Sequence, residues 1–138
     1  MDITFSKNEI KKLSDLGISA VILFGSRAQG LEKEKSDYDI GILLKKGEGL
    51  SVRKKRGEIY DAVYEILSGH IQRLVNIDIV FLDDAPGELQ AHVMKHGQPL
   101  FEASRQAFAD FRERVMISYA DFEYLRNIFH QGILSRIA

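Results

Sequence analysis

The stretch that decides the fold runs Ile18-Ser19-Ala20-Val21-Ile22-Leu23-Phe24, then Gly25-Ser26-Arg27-Ala28-Gln29-Gly30, and after a polar linker Ser36-Asp37-Tyr38-Asp39-Ile40. Ile18 to Phe24 is short, apolar and rich in β-branched residues, the pattern of a buried strand. Gly25 to Ser36 is polar and contains Gly25 and Gly30, so it reads as a loop, or a loop with one helical turn. Tyr38 to Leu44 reads as a second strand, with a turn in 45–49. The segment is therefore a strand, a glycine-containing loop and a second strand that opens on two carboxylates.

Working outward, Ser6-Lys7-Asn8-Glu9 is a capping box with Ser6 as N-cap, and Phe5 and Ile10 occupy the staple positions. That helix should run to Leu16 and stop at Gly17. Ser51 to Ser68 reads as a helix with Val52, Ile59, Val63, Ile66 and Leu67 largely on one face. Val75 to Leu82 alternates as a third strand, placing Ile77, Ile79 and Phe81 on one side and Asp78, Val80 and Leu82 on the other. Asp83-Asp84-Ala85-Pro86 is expected to start a further helix, with Asp84 as N-cap, ending near Gly97. Pro99 to Glu102 is expected to be an edge strand, because proline cannot donate to a ladder.

From Ser104 to His130 the pattern is one long helix. Phe108, Val115, Phe122 and Phe129 recur every seven residues, with Phe111, Tyr119 and Leu125 in the same stripe. Such a stripe covers the chain's own core or meets another chain. The expected organisation is a catalytic core over residues 1–103 and a C-terminal helix over 104–138, packed on the core or on a partner. The fold class is α/β (α+β): a small mixed sheet with flanking helices.

Composition narrows the function. The chain has 138 residues, a net charge of −1 and no cysteine. Its length suits one domain, and the absence of cysteine excludes disulfides and thiolate metal sites. Near-neutral charge argues against nucleic acid as the main partner, since coating phosphate needs excess Lys and Arg. The local basic run, Lys45-Lys46 and Arg53-Lys54-Lys55-Arg56, reads as a solvated surface, with attraction for a polyphosphate or an acidic partner as the alternative. Ile18 to Phe24 is too short to span a bilayer, and Met1-Asp2-Ile3 lacks the basic start of a signal peptide. The expectation is a cytoplasmic protein with no membrane partner.

The chemistry lies in the carboxylates. Alternate side chains of a strand share a face, so Asp37 and Asp39 point the same way. Side by side they repel, and a hard divalent cation, Mg²⁺ or Mn²⁺, removes the conflict. Asp78, in an apolar strand, is read as a buried acid in need of a partner or a metal. If its strand lies beside Tyr38 to Leu44, the three acids form one cluster. That suits two-metal phosphoryl chemistry, with ions roughly 3.5–4 Å apart. Gly25 lets the backbone approach a triphosphate, and Ser26 offers its hydroxyl and N–H to phosphate oxygens. The Arg27 guanidinium would meet phosphate or brace Asp37 or Asp39. His70, His92, His96 and His130 lack ligand spacing as a set, and His92 and His96 read as structural or solvent-facing. Tyr60 and Tyr64, four apart on a helix, read as packing residues, with stacking of one on a base as the alternative.

Phe24-Gly25-Ser26-Arg27-Ala28-Gln29-Gly30 with Ser36-Asp37-Tyr38-Asp39-Ile40 resembles the signature of the DNA-polymerase-β-like nucleotidyltransferases. Within them it is most similar to the minimal nucleotidyltransferases, the antitoxin halves of HEPN–MNT toxin–antitoxin pairs, over roughly residues 5 to 102. The resemblance implies a palm-like fold, two divalent ions, and transfer of a nucleoside monophosphate, AMP from ATP, to a hydroxyl. On its pattern Gly25, Ser26 and Arg27 hold the nucleotide and Asp37 and Asp39 bind both metals. Asp78 ligates the catalytic metal and helps deprotonate the acceptor. A chain this short has little beyond a core, so the acceptor is expected on a second protein, a tyrosine of a HEPN toxin. The alternatives are a small-molecule or antibiotic nucleotidyltransferase and a non-catalytic antitoxin that acts by binding. The C-terminal helix is the expected route to a homo- or hetero-oligomer.

Overall fold

The computed structural model describes residues 3–33, 36–45, 55–71, 75–120 and 127. The expectations for the basic stretch 46–54 and for the apolar stripe at Phe122, Leu125 and Phe129 lie outside the described residues. The order is α1 (Lys7–Asp15), β1 (Ile18–Phe24), β2 (Tyr38–Leu44), α2 (Arg56–His70), β3 (Ile77–Phe81), a 3₁₀ turn (Leu82–Asp84), α3 (Gly87–His96) and β4 (Gln98–Glu102). A further helix, α4, spans 107–120. The strands form one mixed sheet in the order β3-β2-β1-β4. The β1–β2 and β1–β4 pairs are antiparallel, and β2–β3 is parallel. A parallel pair needs a crossover, and α2 provides it.

Both faces of the sheet are covered. On one face Leu13 of α1 and Ile59, Val63, Ile66 and Leu67 of α2 pack against Val21, Leu23, Ile40, Ile42 and Ile77. On the other, Ala91, Val93 and Met94 of α3 and Ala107, Phe111 and Val115 of α4 pack against Ala20, Ile22, Phe24, Leu43 and Leu82. The strands alternate between the two clusters, which is why β1 and β2 read as continuously apolar rather than half polar. Among the described residues no polar side chain is fully buried, and no helix is long and apolar enough to cross a membrane.

The local signals at α1 hold. The Ser6 hydroxyl accepts from the Glu9 N–H, and Glu9 Oε1 accepts from the Ser6 N–H at 2.8 Å. Gly17, at φ +82°, turns the chain into β1. Ile10 is 43 % exposed, and Phe5 packs edge-on against His70. β4 is an edge strand, as its proline requires.

Several boundaries differ from expectation: β3 starts at Ile77 rather than Val75, and the helix expected over Ser51 to Ser68 runs from Arg56 to His70. β3 ends at Phe81, because Leu82 begins the 3₁₀ turn and is fully buried over Gly41. Asp84 does not cap α3: its carboxylate pairs with Arg56 at 2.5 Å, while Asp83 accepts the Leu44 N–H at 3.0 Å. The helix therefore starts at Gly87, after Pro86. The last helix begins at 107 rather than 104, and Tyr119 is exposed while Phe111 and Val115 are buried.

Candidate active site

Two parallel strands in register carry the centre of the site. Asp39 of β2 is the ladder partner of Asp78 of β3, with Tyr38 opposite Ile77 and Ile40 opposite Ile79. In-register neighbours project to the same face. Tyr38 and Ile40 enter the cluster under α1 and α2, so Asp39 and Asp78 leave from the face that carries α3 and α4. Asp37 precedes the strand by one residue and is exposed.

The reading of Asp78 as a buried acid is corrected: it is exposed. β3 is the outer strand of the sheet, and the near end of its face is left bare. Asp39 is the half-buried member. Burial first, then the charges of Asp78 and Asp37, hold its carboxyl above the usual range, while His92 acts in the opposite direction. Asp39 thus feels both of the other sequence-predicted acids across space.

The glycine loop closes over this centre. Phe24 is the ladder partner of Asp39, so Gly25 follows directly at the carboxylate. Gly25 has φ +76°, and a Cβ there would collide with Asp39 Oδ2. Only glycine permits both the conformation and the approach. The chain then winds through a turn in which the Gln29 N–H bonds the Gly25 carbonyl at 3.3 Å and the Leu31 N–H bonds the Ser26 carbonyl at 2.9 Å. This is a turn and not a helix, and Ser26 is half-buried within it.

Arg27 braces the loop. Its Nε donates to the Ser36 carbonyl at 2.9 Å, and its guanidinium lies 3.9 Å from the Tyr38 ring centroid. One side chain thereby clamps both ends of the loop to the start of β2. Sequence reading missed two supports. The Gln98 amide donates to the Ala28 carbonyl at 2.6 Å, which ties the loop to β4. His92 of α3 sets its ring edge-on to Phe24 at 6.3 Å and near His96 at 5.1 Å. Its placement beside Asp39 has a faint sequence signal, a histidine on the inner face of the helix that follows β3.

The donor set suits a hard divalent cation: the Asp39 and Asp78 carboxylates on one sheet face with Asp37 just before the strand, and Asp39 with its proton affinity raised by burial and then by the other two acids. Among the described residues no three His, Asp or Glu side chains are close enough to hold one ion as they stand. Like charges repel, and register fixes the backbones of Asp39 and Asp78 side by side, so a shared cation would need only their side chains to turn toward it.

Sheet order, mixed strand directions and flanking helices make this a polymerase-beta-like nucleotidyltransferase fold. The chain belongs to the Polymerase beta, Nucleotidyltransferase family, whose model matches residues 7–106. No curated protein is significantly similar in sequence. Among solved structures, a toxin–antitoxin complex with AMP-PNP has a chain that superposes with a TM-score of 0.62 at 22 % identity, over 94 % of this chain and 99 % of that one. The complex of a tri-AMPylated HEPN toxin with MNT antitoxin from Shewanella oneidensis gives 0.54 at 18 % identity, over 93 % and 98 %. An MntA–HepT toxin–antitoxin complex gives 0.54 at 18 % identity, over 94 % and 99 %. At these identities the likeness is one of fold.

Proposed function

We propose that the chain is a divalent-metal-dependent nucleotidyltransferase that moves AMP from ATP onto a tyrosine hydroxyl of a cognate HEPN toxin, and so acts as an antitoxin in the cytoplasm. The observation that carries this reading is the in-register pairing of Asp39 with Asp78, closed by Gly25 against the Asp39 carboxylate. Structural neighbours from toxin–antitoxin complexes, one with a nucleotide analogue and one with an AMPylated toxin, point to the substrate and the acceptor.

In this reading Asp37 and Asp39 would hold two divalent ions, Mg²⁺ or Mn²⁺, and Asp78 would serve as a further ligand of the catalytic one. Bound there, the ions would neutralise charge on the triphosphate and the acceptor oxygen. Ser26 offers its hydroxyl and N–H to phosphate, and Gly25 lets the triphosphate lie close to the backbone. Arg27 keeps the loop in place. The acceptor oxygen bonds the α-phosphorus, the α–β bridging bond breaks, and pyrophosphate leaves. The hydroxyl proton passes to Asp78.

The test is an incubation of the chain with α-labelled ATP, Mg²⁺ and the product of the neighbouring toxin gene. Label on a toxin tyrosine, lost with Asp39→Asn while the complex still forms, supports the reading. Equal protection of cells by Asp39→Asn would leave an antitoxin that acts by contact alone. Label on small molecules and none on protein would leave a small-molecule nucleotidyltransferase.

A further inference from the structure

The outer face of α4 carries an exposed stripe of mixed charge and apolar side chains. Ala107, Phe111 and Val115 bury the inner face of the helix against the sheet. Ala109, Arg112, Glu113, Met116 and Ile117 line an open groove of about 370 Å³ on the outer side. Met116 and Ile117 are each 56 % exposed, an adjacent apolar pair with polar neighbours. Positions 109, 112, 113 and 116 are spaced by three and four residues, so they form one stripe.

The stripe complements itself when reversed. An antiparallel copy laid across it, with the two-fold axis between Arg112 and Glu113, sets Arg112 against Glu113 of the second copy and Glu113 against its Arg112. The same axis sets Ala109 against Met116 of the second copy, small against large, at each end. An isologous interface demands this: one patch that complements itself under a two-fold rotation. Opposite charges meet twice at the centre, and each methionine lies over an alanine, which allows the helices to approach to the usual ~8–10 Å. A parallel arrangement would set like charges and like sizes together. Arg112 is positioned for the role, its guanidinium lying over the Phe108 ring at 5.9 Å and so held on the helix surface.

We infer that α4 forms a two-fold antiparallel homodimer contact through Ala109, Arg112, Glu113 and Met116. The inference stands apart from the proposed activity, because none of these residues belongs to the carboxylate site.

Sedimentation equilibrium of the full chain, purified alone, tests it. The expected result is a concentration-dependent dimer. Glu113→Arg alone and Arg112→Glu alone should each weaken it by at least about tenfold, by setting like charges together. The double swap, Arg112→Glu with Glu113→Arg, should restore it, because the swapped stripe complements itself again. Circular dichroism of each variant confirms that these exposed changes leave the fold intact. Orientation has its own readout, since the chain has no cysteine. Ala109→Cys mixed with Met116→Cys should cross-link on oxidation, whereas either variant alone should not. A chain that stays monomeric, a double swap that fails to restore association, or Ala109→Cys linking to itself would overturn the inference. So would a chain that is monomeric alone and whose α4 face is covered only when the toxin is added.

Discussion

Asp39 and Asp78 are ladder partners across the parallel β2–β3 pair, although 38 residues of chain separate them. Backbone hydrogen bonding, not side-chain contact, brings the acids together. A change at either carboxylate should therefore alter chemistry without dismantling the sheet. Asp39→Asn, Asp37→Asn and Asp78→Asn should each lower kcat by about 10²-fold or more, as expected when several kcal/mol of charge stabilisation is lost. Label transfer from ATP at saturating nucleotide measures this.

The raised pKa of Asp39 has a consequence for the metal-free fold. An acid whose folded pKa lies above its unfolded value binds its proton more tightly when folded. Its contribution to stability then falls as pH rises from the unfolded pKa through the folded one, and stays unfavourable above. Asp39→Asn should raise the metal-free melting temperature at neutral pH, and Mn²⁺ should stabilise the native chain more than the variant. Thermal melts with and without metal would show both effects; a lower melting temperature for Asp39→Asn would contradict this account.

Gly25 and Gly30 form a matched pair. Both have positive φ, +76° and +72°, but a Cβ on Gly25 meets Asp39 whereas one on Gly30 meets nothing within 4 Å. Gly25→Ala and Gly30→Ala should each cost roughly 1–2 kcal/mol of stability from the left-handed backbone alone. Only Gly25→Ala should also abolish transfer, because it displaces the carboxylate. Urea melts and label transfer on the two variants separate conformational cost from site damage.

Gly41 sits beneath Leu82, and an added Cβ would approach Leu82 Cδ1 to 2.6 Å. Gly41→Ala should destabilise by about 1–3 kcal/mol through overpacking. Leu82→Ala should cost about 2–5 kcal/mol through the cavity it leaves. Together they should cost less than their sum, since each relieves the fault of the other. A double-mutant cycle by denaturant melts reads the coupling.

The capping box gives a pH signature far from the site. The Ser6 N–H holds the Glu9 carboxyl below its usual range; burial opposes it, and the hydrogen bond and charge of His70 add to the lowering. His70 Nε2 lies 2.9 Å from Glu9 Oε1. For a depressed acid the stabilisation is present above the unfolded pKa and is lost as pH falls through the folded pKa. Glu9→Gln should flatten the stability profile below about pH 4.3, the ordinary glutamate value. Ser6→Ala should cost about 1 kcal/mol at neutral pH.

Features set by near neighbours along the chain are legible in the amino-acid sequence itself. The Ser6–Glu9 box, the strands at Ile18–Phe24 and Tyr38–Leu44 and the alternation in Ile77–Phe81 are of this kind, because capping and period-two patterning are local. The paired spacing of Asp37 and Asp39 is local too. The Asp39–Asp78 register is not, since it depends on how α2 returns the chain to the sheet. The expected cap at Asp84 fails for a tertiary reason: Arg56 takes its carboxylate, and burial of Leu82 over Gly41 tightens the chain into a 3₁₀ turn. Exposure of Asp78 is likewise unreadable from sequence, because only strand order shows that β3 is an edge. Tyr60 and Tyr64, read as packing residues, stack on each other at 6.4 Å and remain partly exposed on α2.

The central claim is that Asp37, Asp39 and Asp78 act as one metal site, and Mn²⁺ titration followed by electron paramagnetic resonance in the presence of a non-hydrolysable ATP analogue tests it most directly. The account predicts saturable Mn²⁺ binding by the native chain, weakened about tenfold or more by Asp78→Asn as well as by Asp39→Asn, as the loss of one charged ligand implies. Unchanged Mn²⁺ affinity in Asp39→Asn would contradict it.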